Sequence, residues 1–343
     1  MRIIFIRPCC IGDVVMSTAA LSALRDAYPQ AHITIAVGGW SRHAIAYHPA
    51  VDAILDTGKS ALPIYSLVRF RKFVQQLRAG NFDIAISLVR SPLMSLALLF
   101  SGIPTRAGID SNGRGFGYTH KHRISPADTT PEAQIYLDTV ATLGIPTQGY
   151  QINLPILEDA RQHLQNTLAS HSISRPYIVI HPGGGSNPGM LMHSKRYPPA
   201  QLAQIANALS AEYDAHIILI GADADQPITD ALQAHLNTPA TIFLNAFTFP
   251  QIGALAYDAL LYLGNDTGLT HLAAASGAKT AMLLGPSDPR RYAPFTDNSI
   301  ALWKPTTLNH GGVDSADTTQ WDWSHDGIMP ETALSELHAF LSP

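Results

Sequence analysis

The chain has 343 residues, a length that suits two domains of ordinary size better than one. Hydrophobic residues make up 46% and charged residues 14%, which is the composition of a globular protein with fewer charges than usual. The formal net charge of −4 and the lack of a nucleic-acid-binding motif argue against nucleic acid as a partner.

Charge is distributed unevenly along the chain. Residues 1–172 hold 15 Lys/Arg and 11 Asp/Glu, whereas residues 173–343 hold 7 and 15. The basic residues of the first half form two runs: Arg69, Arg71, Lys72 and Arg78, then Arg106, Arg114, Lys121 and Arg123. Either these runs are ordinary solvated faces, or the first half meets an anionic partner.

In chain order, short apolar runs alternate with longer amphipathic ones. The strands predicted in the first half are Arg2–Arg7, His32–Val37, Ala53–Asp56 and Asp83–Leu88. The helices predicted between and after them are Val14–Tyr28, Leu67–Ala79, Leu93–Ser101 and Glu132–Leu143. This alternation favours an α/β fold in which a parallel sheet is covered by helices on both faces.

The same alternation restarts in the second half. Its predicted strands are Tyr177–His181, His216–Gly221, Thr241–Leu244, Ala259–Leu263 and Thr280–Leu284. Its predicted helices are Pro199–Tyr213, Gln226–His235, Pro250–Tyr257 and Leu269–Ser276. We therefore predict one domain over 1–172, a second over 173–325 and a C-terminal segment over 326–343. Ligands are expected in a cleft that the two domains face.

Several features place the protein in the cytoplasm. The two cysteines, Cys9 and Cys10, are adjacent, and neighbouring cysteines rarely bridge each other, so no disulfide is expected. The first residues are predicted as a strand rather than a signal peptide. The longest apolar stretch, Leu93–Phe100, is too short to span a bilayer. The four Asp of the polar tail 304–329 have no recognisable ligand spacing, and no metal site is predicted.

The segment from Gly264 to His271 follows an apolar strand and precedes a predicted helix. A helix that begins there directs unpaired N–H groups and the positive end of its dipole towards a ligand, which suits phosphate. Gly268 permits close approach of the backbone, Thr267 adds a hydroxyl, and His271 lies one turn further on the same face. The alternative is ordinary capping by Asp266 or Thr267, with His271 on the surface.

A second candidate turn, His181 to Pro188, also follows a buried strand. Its three glycines and a serine, among them Gly184 and Ser186, can form a backbone nest for an anion, and Lys195 and Arg196 supply charge nearby. The turn matches neither a P-loop nor a GxGxxG fingerprint, so it is equally compatible with a simple turn.

Two further carboxylates follow predicted strands. Asp13, in the sequence Ile11-Gly12-Asp13, either accepts a proton from a hydroxyl nucleophile or caps the first helix. Arg7, at the end of the same strand, is an anion contact or a strand-terminal charge. Asp225 follows a predicted strand, the position from which a carboxylate accepts hydrogen bonds from ribose hydroxyls in nucleotide-binding folds. Alternatively, it begins a helix.

These motifs together resemble the heptosyltransferase family of bacterial lipopolysaccharide synthesis, glycosyltransferase family 9, over nearly the whole length. The amino-terminal signature is Arg2-Ile-Ile-Phe-Ile-Arg7 followed by Ile11-Gly12-Asp13-Val14-Val15. The carboxyl-terminal signature is Gly264-Asn265-Asp266-Thr267-Gly268, then His271-Leu272-Ala273-Ala274-Ala275 and Gly285-Pro286. The segments His181-Pro182-Gly183 and Lys195-Arg196-Tyr197-Pro198 support both signatures.

The resemblance implies a GT-B fold, with two Rossmann-like parallel-sheet domains that face a cleft. The first domain would bind the acceptor and the second the nucleotide-sugar, and the last helix, Pro330–Leu341, would pack back on the first domain. The reaction implied is inverting transfer of heptose from ADP-heptose, with no bound catalytic metal and no cofactor besides the donor as substrate. The acceptor would be an anionic lipid-linked glycan, which also implies peripheral contact with the inner face of the cytoplasmic membrane.

The resemblance also assigns roles to single residues. Asp13 would be the catalytic base. Lys195, Thr267, Gly268 and His271 would hold the diphosphate, together with Gly184 and Ser186; Asp266 would contact sugar hydroxyls and Asp225 the ribose. The acceptor-binding residues are less tied to the family's motifs, and we expect them to be Gly12, Arg7, Arg106 and Arg114.

Three other classes remain open from the sequence. A nucleotide-sugar epimerase or a non-catalytic nucleotide-sugar-binding protein would share the fold, and an epimerase would convert the donor without an acceptor. An NAD-dependent oxidoreductase is disfavoured because no GxGxxG follows the first strand.

Overall fold

The computed structural model describes residues 1–59, 62–125, 127–174, 176–187, 190–306 and 321–342. The chain forms two compact units, Met1–Asn153 and Leu154–Pro343. The polar tail predicted to be free of metal lies partly at 307–320, outside the described residues.

The first unit is built on a parallel sheet of six strands within its described residues. The strands are β1 (Arg2–Ile6), β2 (His32–Val37), β3 (Ala53–Asp56), β4 (Ile84–Ser87), β5 (Thr105–Ser111) and β6 (His120–Ile124). Their order across the sheet is β3-β2-β1-β4-β5-β6. Ile3 of β1 pairs with Ile33 on one side and Ile84 on the other, so β1 is central.

In the part of this unit that the structure describes, five α-helices cover the sheet. They are α1 (Ile11–Met16), α2 (Thr18–Ala27), α3 (Leu67–Ala79), α4 (Pro92–Ser101) and α5 (Glu132–Ala141). Side chains alternate between the faces of a strand, and Ile4 and Ile6 of β1 accordingly join the core beneath α3 and α4. The predicted helix Val14–Tyr28 is in fact two helices, because the chain breaks at Ser17.

The strands β5 and β6 were not predicted. β6 reads HKHRI and exposes most of its side chains partly to solvent, so it lacks the apolar run of a buried strand. It pairs with β5 alone and forms one edge of the sheet. An edge strand needs an apolar face on one side at most. For this reason the apolar pattern used to find strands did not identify β6.

The cysteine prediction was wrong. Cys9 and Cys10, in the loop between β1 and α1, form a disulfide in the structure, with their sulfur atoms 2.32 Å apart. The peptide bond between them is cis, and their Cα atoms lie 3.2 Å apart.

The second unit repeats the architecture of the first. Its sheet is formed by β7 (Tyr177–His181), β10 (His216–Gly221), β11 (Thr241–Leu244), β12 (Leu261–Asn265), β13 (Thr280–Leu283) and β14 (Ser299–Leu302). The order across this parallel sheet is β11-β10-β7-β12-β13-β14. A short antiparallel pair, β8 (Ser186–Asn187) and β9 (Met190–Leu191), projects after β7.

The helices of the second unit lie between and after these strands. Those in the described residues are α6 (Glu158–Ser170), α7 (Pro199–Tyr213), α8 (Gln226–Gln233), α9 (Phe249–Tyr257), α10 (Gly268–Ala275), α11 (Pro289–Tyr292), α12 (Trp323–Asp326) and α13 (Pro330–Leu341). The α/β class and the two Rossmann-like parallel sheets are thus confirmed.

The boundary between the units lies earlier than predicted. The sequence placed it after residue 172, whereas the structure divides the chain between Asn153 and Leu154. The reason is α6, which packs on α9 of the second unit. Arg161 of α6 forms an ion pair with Asp258 at 2.9 Å.

The last helix belongs to the core of the second unit. The segment 326–343 was expected to pack on the first domain, but Ala333, Leu337 and Leu341 of α13 are buried with Leu202 and Leu209 of α7. The apolar side of α13 is therefore used within the second unit, whereas packing on the first domain was implied by the family resemblance alone.

Among the described residues, every helix is too short or too polar to cross a lipid bilayer.

His48 is a buried histidine of the first unit whose hydrogen bonds require the neutral ring. Its Nδ1 accepts from the Ala50 amide at 3.2 Å, and its Nε2 lies 3.2 Å from the Oδ1 of Asn153. Burial lowers the pKa of His48 from 6.5 to about 4, and the bond to Asn153 opposes this only in part. Between about pH 4 and pH 6.5, His48 is therefore protonated in the unfolded chain and neutral in the folded chain.

We expect the free energy of unfolding to fall as the pH drops from about 6.5 to about 4, by on the order of 3 kcal/mol from this group. His48→Gln should flatten that part of the profile, measured by urea unfolding across the pH range. His43→Gln, at an exposed histidine on the neighbouring turn, is the matched control and should keep the slope. An unchanged slope in His48→Gln would show that this ring is protonated in the folded state.

Candidate active site

In each sheet the strand order reverses direction beside the first strand of its unit. From β1 the chain passes to β2 on one side, whereas from β4 it passes to β5 on the other. The same reversal separates β7 from β12. Connections diverge at such a switch point and leave room beyond the carboxyl ends of the two strands, where ligands bind in open α/β sheets. Candidate residues are therefore expected after β1, β4, β7 and β12.

At the switch point of the first unit, Asp13 is held by two partners. Arg7 forms an ion pair with its Oδ2 at 2.6 Å, and the Tyr136 hydroxyl donates to its Oδ1 at 3.0 Å. The Asp13 side chain keeps 26% of its surface exposed, and Arg7 keeps 14%. Asp13 is thus fixed in orientation and still accessible.

The environment keeps the Asp13 carboxylate ionised. Burial alone would raise its pKa, but the Arg7 guanidinium, the Tyr136 hydroxyl and the charge of Arg90 together lower the pKa below the ordinary value. Burial raises the pKa of Tyr136 well above its usual range, so this side chain is a hydrogen-bond donor to Asp13. The Arg7 guanidinium also lies over the Tyr136 ring, with 5.5 Å from its Cζ to the ring centroid.

Sequence reasoning missed Tyr136, Arg90 and Glu132. Arg90 follows β4, on the other side of the switch point, and both Glu132 oxygens accept from its NH2 at 2.8 Å. Glu132 is 2% exposed. The position of Arg90 directly after a buried strand was a usable signal. Tyr136 and Glu132 lie in α5, and only the fold brings them to Asp13 and Arg90.

The other predicted acceptor residues lie in different places. Gly12 is the second residue of α1, next to Asp13. Arg114 is exposed in the loop after β5, at the carboxyl edge of the sheet. Arg106 lies at the opposite end of β5, where its guanidinium donates to the carbonyls of Ile103, Pro104 and Gly117. The structure thus makes Arg106 a brace for its own loop, away from the switch point, because its donors are used by backbone oxygens.

In the second unit, the glycine turn packs directly on the start of α10. Gly184 has a φ of 112°, and a Cβ built there would lie 2.0 Å from the Cγ2 of Thr267. Only glycine fits this approach. Thr267 caps α10, accepting from the Thr270 amide at 3.4 Å. The nest and the helix N-terminus, two anion-binding features that the sequence placed separately, thus meet.

A fully buried amide fastens these segments together. Asn265 is 0% exposed, and its Nδ2 donates to the carbonyls of Pro182 at 2.9 Å and Gly183 at 3.0 Å. Its Oδ1 accepts from the Tyr197 amide at 3.0 Å. Both donor hydrogens and the acceptor are thereby used. The sequence motif contained Asn265 but gave no reason for it, since its partners are distant in the chain.

Lys195 and Asp266 form a buried ion pair beside the turn. The distance between Nζ and Oδ2 is 2.5 Å, and each residue is 8% exposed. The Ser287 hydroxyl donates to the same oxygen at 2.5 Å. Burial raises the pKa of Asp266, but Lys195, Ser287 and a smaller contribution from His271 lower it overall, so the carboxylate is ionised. An ammonium has three donors, so Lys195 can hold Asp266 and a phosphate oxygen together.

The remaining donor candidates lie around this pair. Gly268 begins α10, and His271, one turn later, is 2% exposed, so the alternative of a surface histidine is wrong. The backbone of Ser186 is in β8, but its side chain lies outside the described part of the structure.

Asp225 supports the glycine turn. Its Oδ2 accepts from the Ala222 amide at 3.0 Å and lies 3.6 Å from His181 Nε2, and its Oδ1 lies 3.8 Å from Arg196. A Cβ on Gly183 would lie 2.2 Å from Oδ1. Burial raises the pKa of Asp225, but His181, the Ala222 amide and Arg196 together lower it. Its role as a ribose ligand stays a prediction.

Comparison with known proteins gives a family match over most of the chain. Residues 70–316 match the family model for glycosyltransferase family 9 (heptosyltransferase). Lipopolysaccharide heptosyltransferase 2 of Salmonella typhimurium is 27% identical over 356 residues, which cover 100% of this chain and 99% of the relative. The protein of the same name from Escherichia coli is also 27% identical, with 99% of each chain covered.

Solved structures show the same fold. The E. coli ADP-heptose heptosyltransferase II superposes with a TM-score of 0.75 at 24% identity, covering 99% of this chain and 98% of that one. A family 9 glycosyltransferase of Veillonella parvula gives a TM-score of 0.79 at 21% identity, covering 99% and 97%.

The buried amide of Asn265 yields a test of how the second unit is held together. Asn265→Ala leaves two carbonyls and one amide without partners, and we expect it to lower the free energy of unfolding by about 3 kcal/mol in urea titrations. Asn207→Ala is the matched control, because Asn207 also donates to a carbonyl and accepts from an amide, but is only half-buried. It should lose less than about 1 kcal/mol. Equal losses in both variants would refute the role given to Asn265.

Proposed function

The chain belongs to glycosyltransferase family 9 (heptosyltransferase), and we propose that it transfers heptose from ADP-heptose to an acceptor of the lipopolysaccharide core. The names of its relatives support this substrate pair. The observation that carries the proposal is the packing of Gly184 against Thr267, which joins a backbone nest to the N-terminus of α10 beside Lys195.

The second unit would hold the donor. The diphosphate lies against the nest and the first N–H groups of α10, and Lys195 donates to it while it keeps its bond to Asp266. His271 donates from the same helix. As the bond between the sugar and the diphosphate breaks, negative charge grows on the leaving oxygen, and these fixed donors stabilise it without reorganisation.

Asp13 of the first unit would be the base. One carboxylate oxygen takes the proton of the acceptor hydroxyl, and the hydroxyl oxygen forms a bond to the anomeric carbon of heptose. The bond from that carbon to the β-phosphate oxygen breaks, its electron pair stays on the oxygen, and ADP leaves with inversion at the anomeric carbon. Arg7 and Tyr136 orient Asp13 and keep it ionised before the step.

We further propose that the donor's charge is balanced by protein groups alone, with no metal and no cofactor. The cation for this purpose is Lys195, and the helix N-terminus adds partial charge. The acceptor is an anionic lipid-linked glycan, and the enzyme works at the inner face of the cytoplasmic membrane. Arg114, exposed after β5, would contact the acceptor's anionic groups.

We expect wild-type enzyme to form product from ADP-heptose and a lipopolysaccharide-core acceptor in the presence of EDTA. Asp13→Asn should lower kcat by a factor of about 10² or more, because the base is lost, while ADP-heptose affinity stays within about twofold. Product would be followed by mass spectrometry and donor binding by calorimetry. Substantial turnover in Asp13→Asn would remove Asp13 from the mechanism.

Tyr136→Phe is the matched variant, since it keeps the ring and the base. Loss of the hydroxyl bond raises the pKa of Asp13. Activity should therefore be retained at neutral pH, and as the solution is acidified it should be lost at a higher pH than in wild type. A reaction with donor alone is the second control. Conversion of the sugar without acceptor would identify an epimerase instead.

A further inference from the structure

One surface of the first unit combines exposed apolar side chains with an excess of basic ones. At the start of α3, Leu67 is 65% exposed and Val68 is 77% exposed. At the end of α4, Leu99 is 44% exposed and Phe100 is 50% exposed. Large apolar side chains this exposed, on two neighbouring helices, are not explained by the core that the helices cover.

The two helices pack against each other around Phe100. The rings of Phe70 and Phe100 meet edge to face, with centroids 6.3 Å apart. Arg78 donates to the carbonyl of Phe100 through Nε at 3.0 Å and NH2 at 2.7 Å, so its side of α3 borders α4. Leu67 and Arg71 precede Arg78 by eleven and seven residues, spacings that place all three on one stripe of the helix.

The charge around this patch has a single sign. Residues 57–109 contain seven Lys/Arg and one acidic residue, Asp83. The basic side chains of α3, namely Arg69, Arg71, Lys72 and Arg78, are all exposed, and the helix holds no acidic residue. α4 holds no charged residue and is the most apolar helix of this unit. The face made by α3 and α4 is therefore apolar and flanked by cations.

We propose that the face formed by Leu67, Val68, Leu99 and Phe100 with Arg71, Lys72 and Arg78 docks on the surface of an anionic phospholipid bilayer. The apolar side chains enter the interface between headgroups and acyl chains, and the basic ones pair with lipid phosphates. This inference assigns the membrane contact of the proposed function to a particular face of the first unit. It rests on the proposed function only for the reason why the protein would bind a membrane.

The test is sedimentation of the full chain with vesicles, without donor or acceptor. Wild type should bind vesicles of phosphatidylglycerol and phosphatidylcholine in equal parts and bind pure phosphatidylcholine much less, and added salt should weaken binding. Arg71→Gln with Lys72→Gln should lower the partition coefficient by about fivefold per charge. Val68→Ser should lower it by about tenfold.

Matched controls lie elsewhere on the same unit. Tyr47, 61% exposed, and Arg123, also exposed, are outside α3 and α4, and Tyr47→Ser with Arg123→Gln should bind vesicles as wild type does. Thermal melts should match for all variants, since every changed side chain is exposed. Equal binding by all variants, or no binding by wild type, would overturn the proposal.

Two further outcomes are distinguishable. Self-association that the Val68→Ser variant abolishes, without vesicle binding, would assign the face to a second copy and overturn the proposal. If vesicles bind but ADP-heptose is not used, the docking face stands and the proposed function falls.

Discussion

The reversal of strand order at the centre of each sheet is the constraint on which the rest of the structure depends. All neighbouring strands of both large sheets run parallel, so every strand of a sheet ends at the same edge, and the connections separate only beside β1 and β7. Backbone groups and polar side chains can gather there without a helix above them. Asp13 in one unit and the turn around Gly184 in the other occupy these two positions.

Polar groups at these edges are costly to bury. In this protein they are hydrogen-bonded or ion-paired to neighbouring groups, which offsets the cost. Asn265 satisfies all its hydrogen-bonding groups within one buried junction, and Asp266 has both a cation and a hydroxyl on one oxygen. Asp13 similarly has a guanidinium and a phenol. Removing one member of such a set leaves its partner buried and unpaired, which costs more than the net stability of the pair. The same rigidity holds the donors where charge develops in the proposed reaction.

Much of this architecture could be predicted from the amino-acid pattern. The strands β2, β3, β7, β10 and β11 and the helices α3, α7 and α13 begin and end where periodicity placed them, because each combines a clear apolar pattern with a turn or cap. The edge strand β6 was not predicted because its partly exposed sequence, HKHRI, lacks a continuous apolar run. The domain boundary was misplaced because periodicity shows that a helix has an apolar face and does not show which core receives it. The packing of α13 on the first domain was implied by the family resemblance alone.

For the candidate site, too, some features could be predicted from the sequence and others could not. Asp13, Gly184, Asp266 and Thr267 follow strands, so their positions were readable from local sequence. The pairings were not: Tyr136 reaches Asp13 across 123 residues and Lys195 reaches Asp266 across 71, distances that only the fold closes. Arg106 shows the converse, since a cation in a basic run turned out to brace its own loop at the far end of β5.

The most direct measurement of the central claim is the affinity for ADP of wild type, Gly184→Ala and Gly102→Ala by calorimetry. Gly102 also has a positive φ, of 78°, but a Cβ there meets no atom within 4 Å, so its variant carries the backbone strain alone. If the nest packed on α10 holds the diphosphate, Gly184→Ala should bind ADP about tenfold more weakly or worse, and Gly102→Ala as wild type does. Equal affinity in Gly184→Ala and wild type would contradict the account.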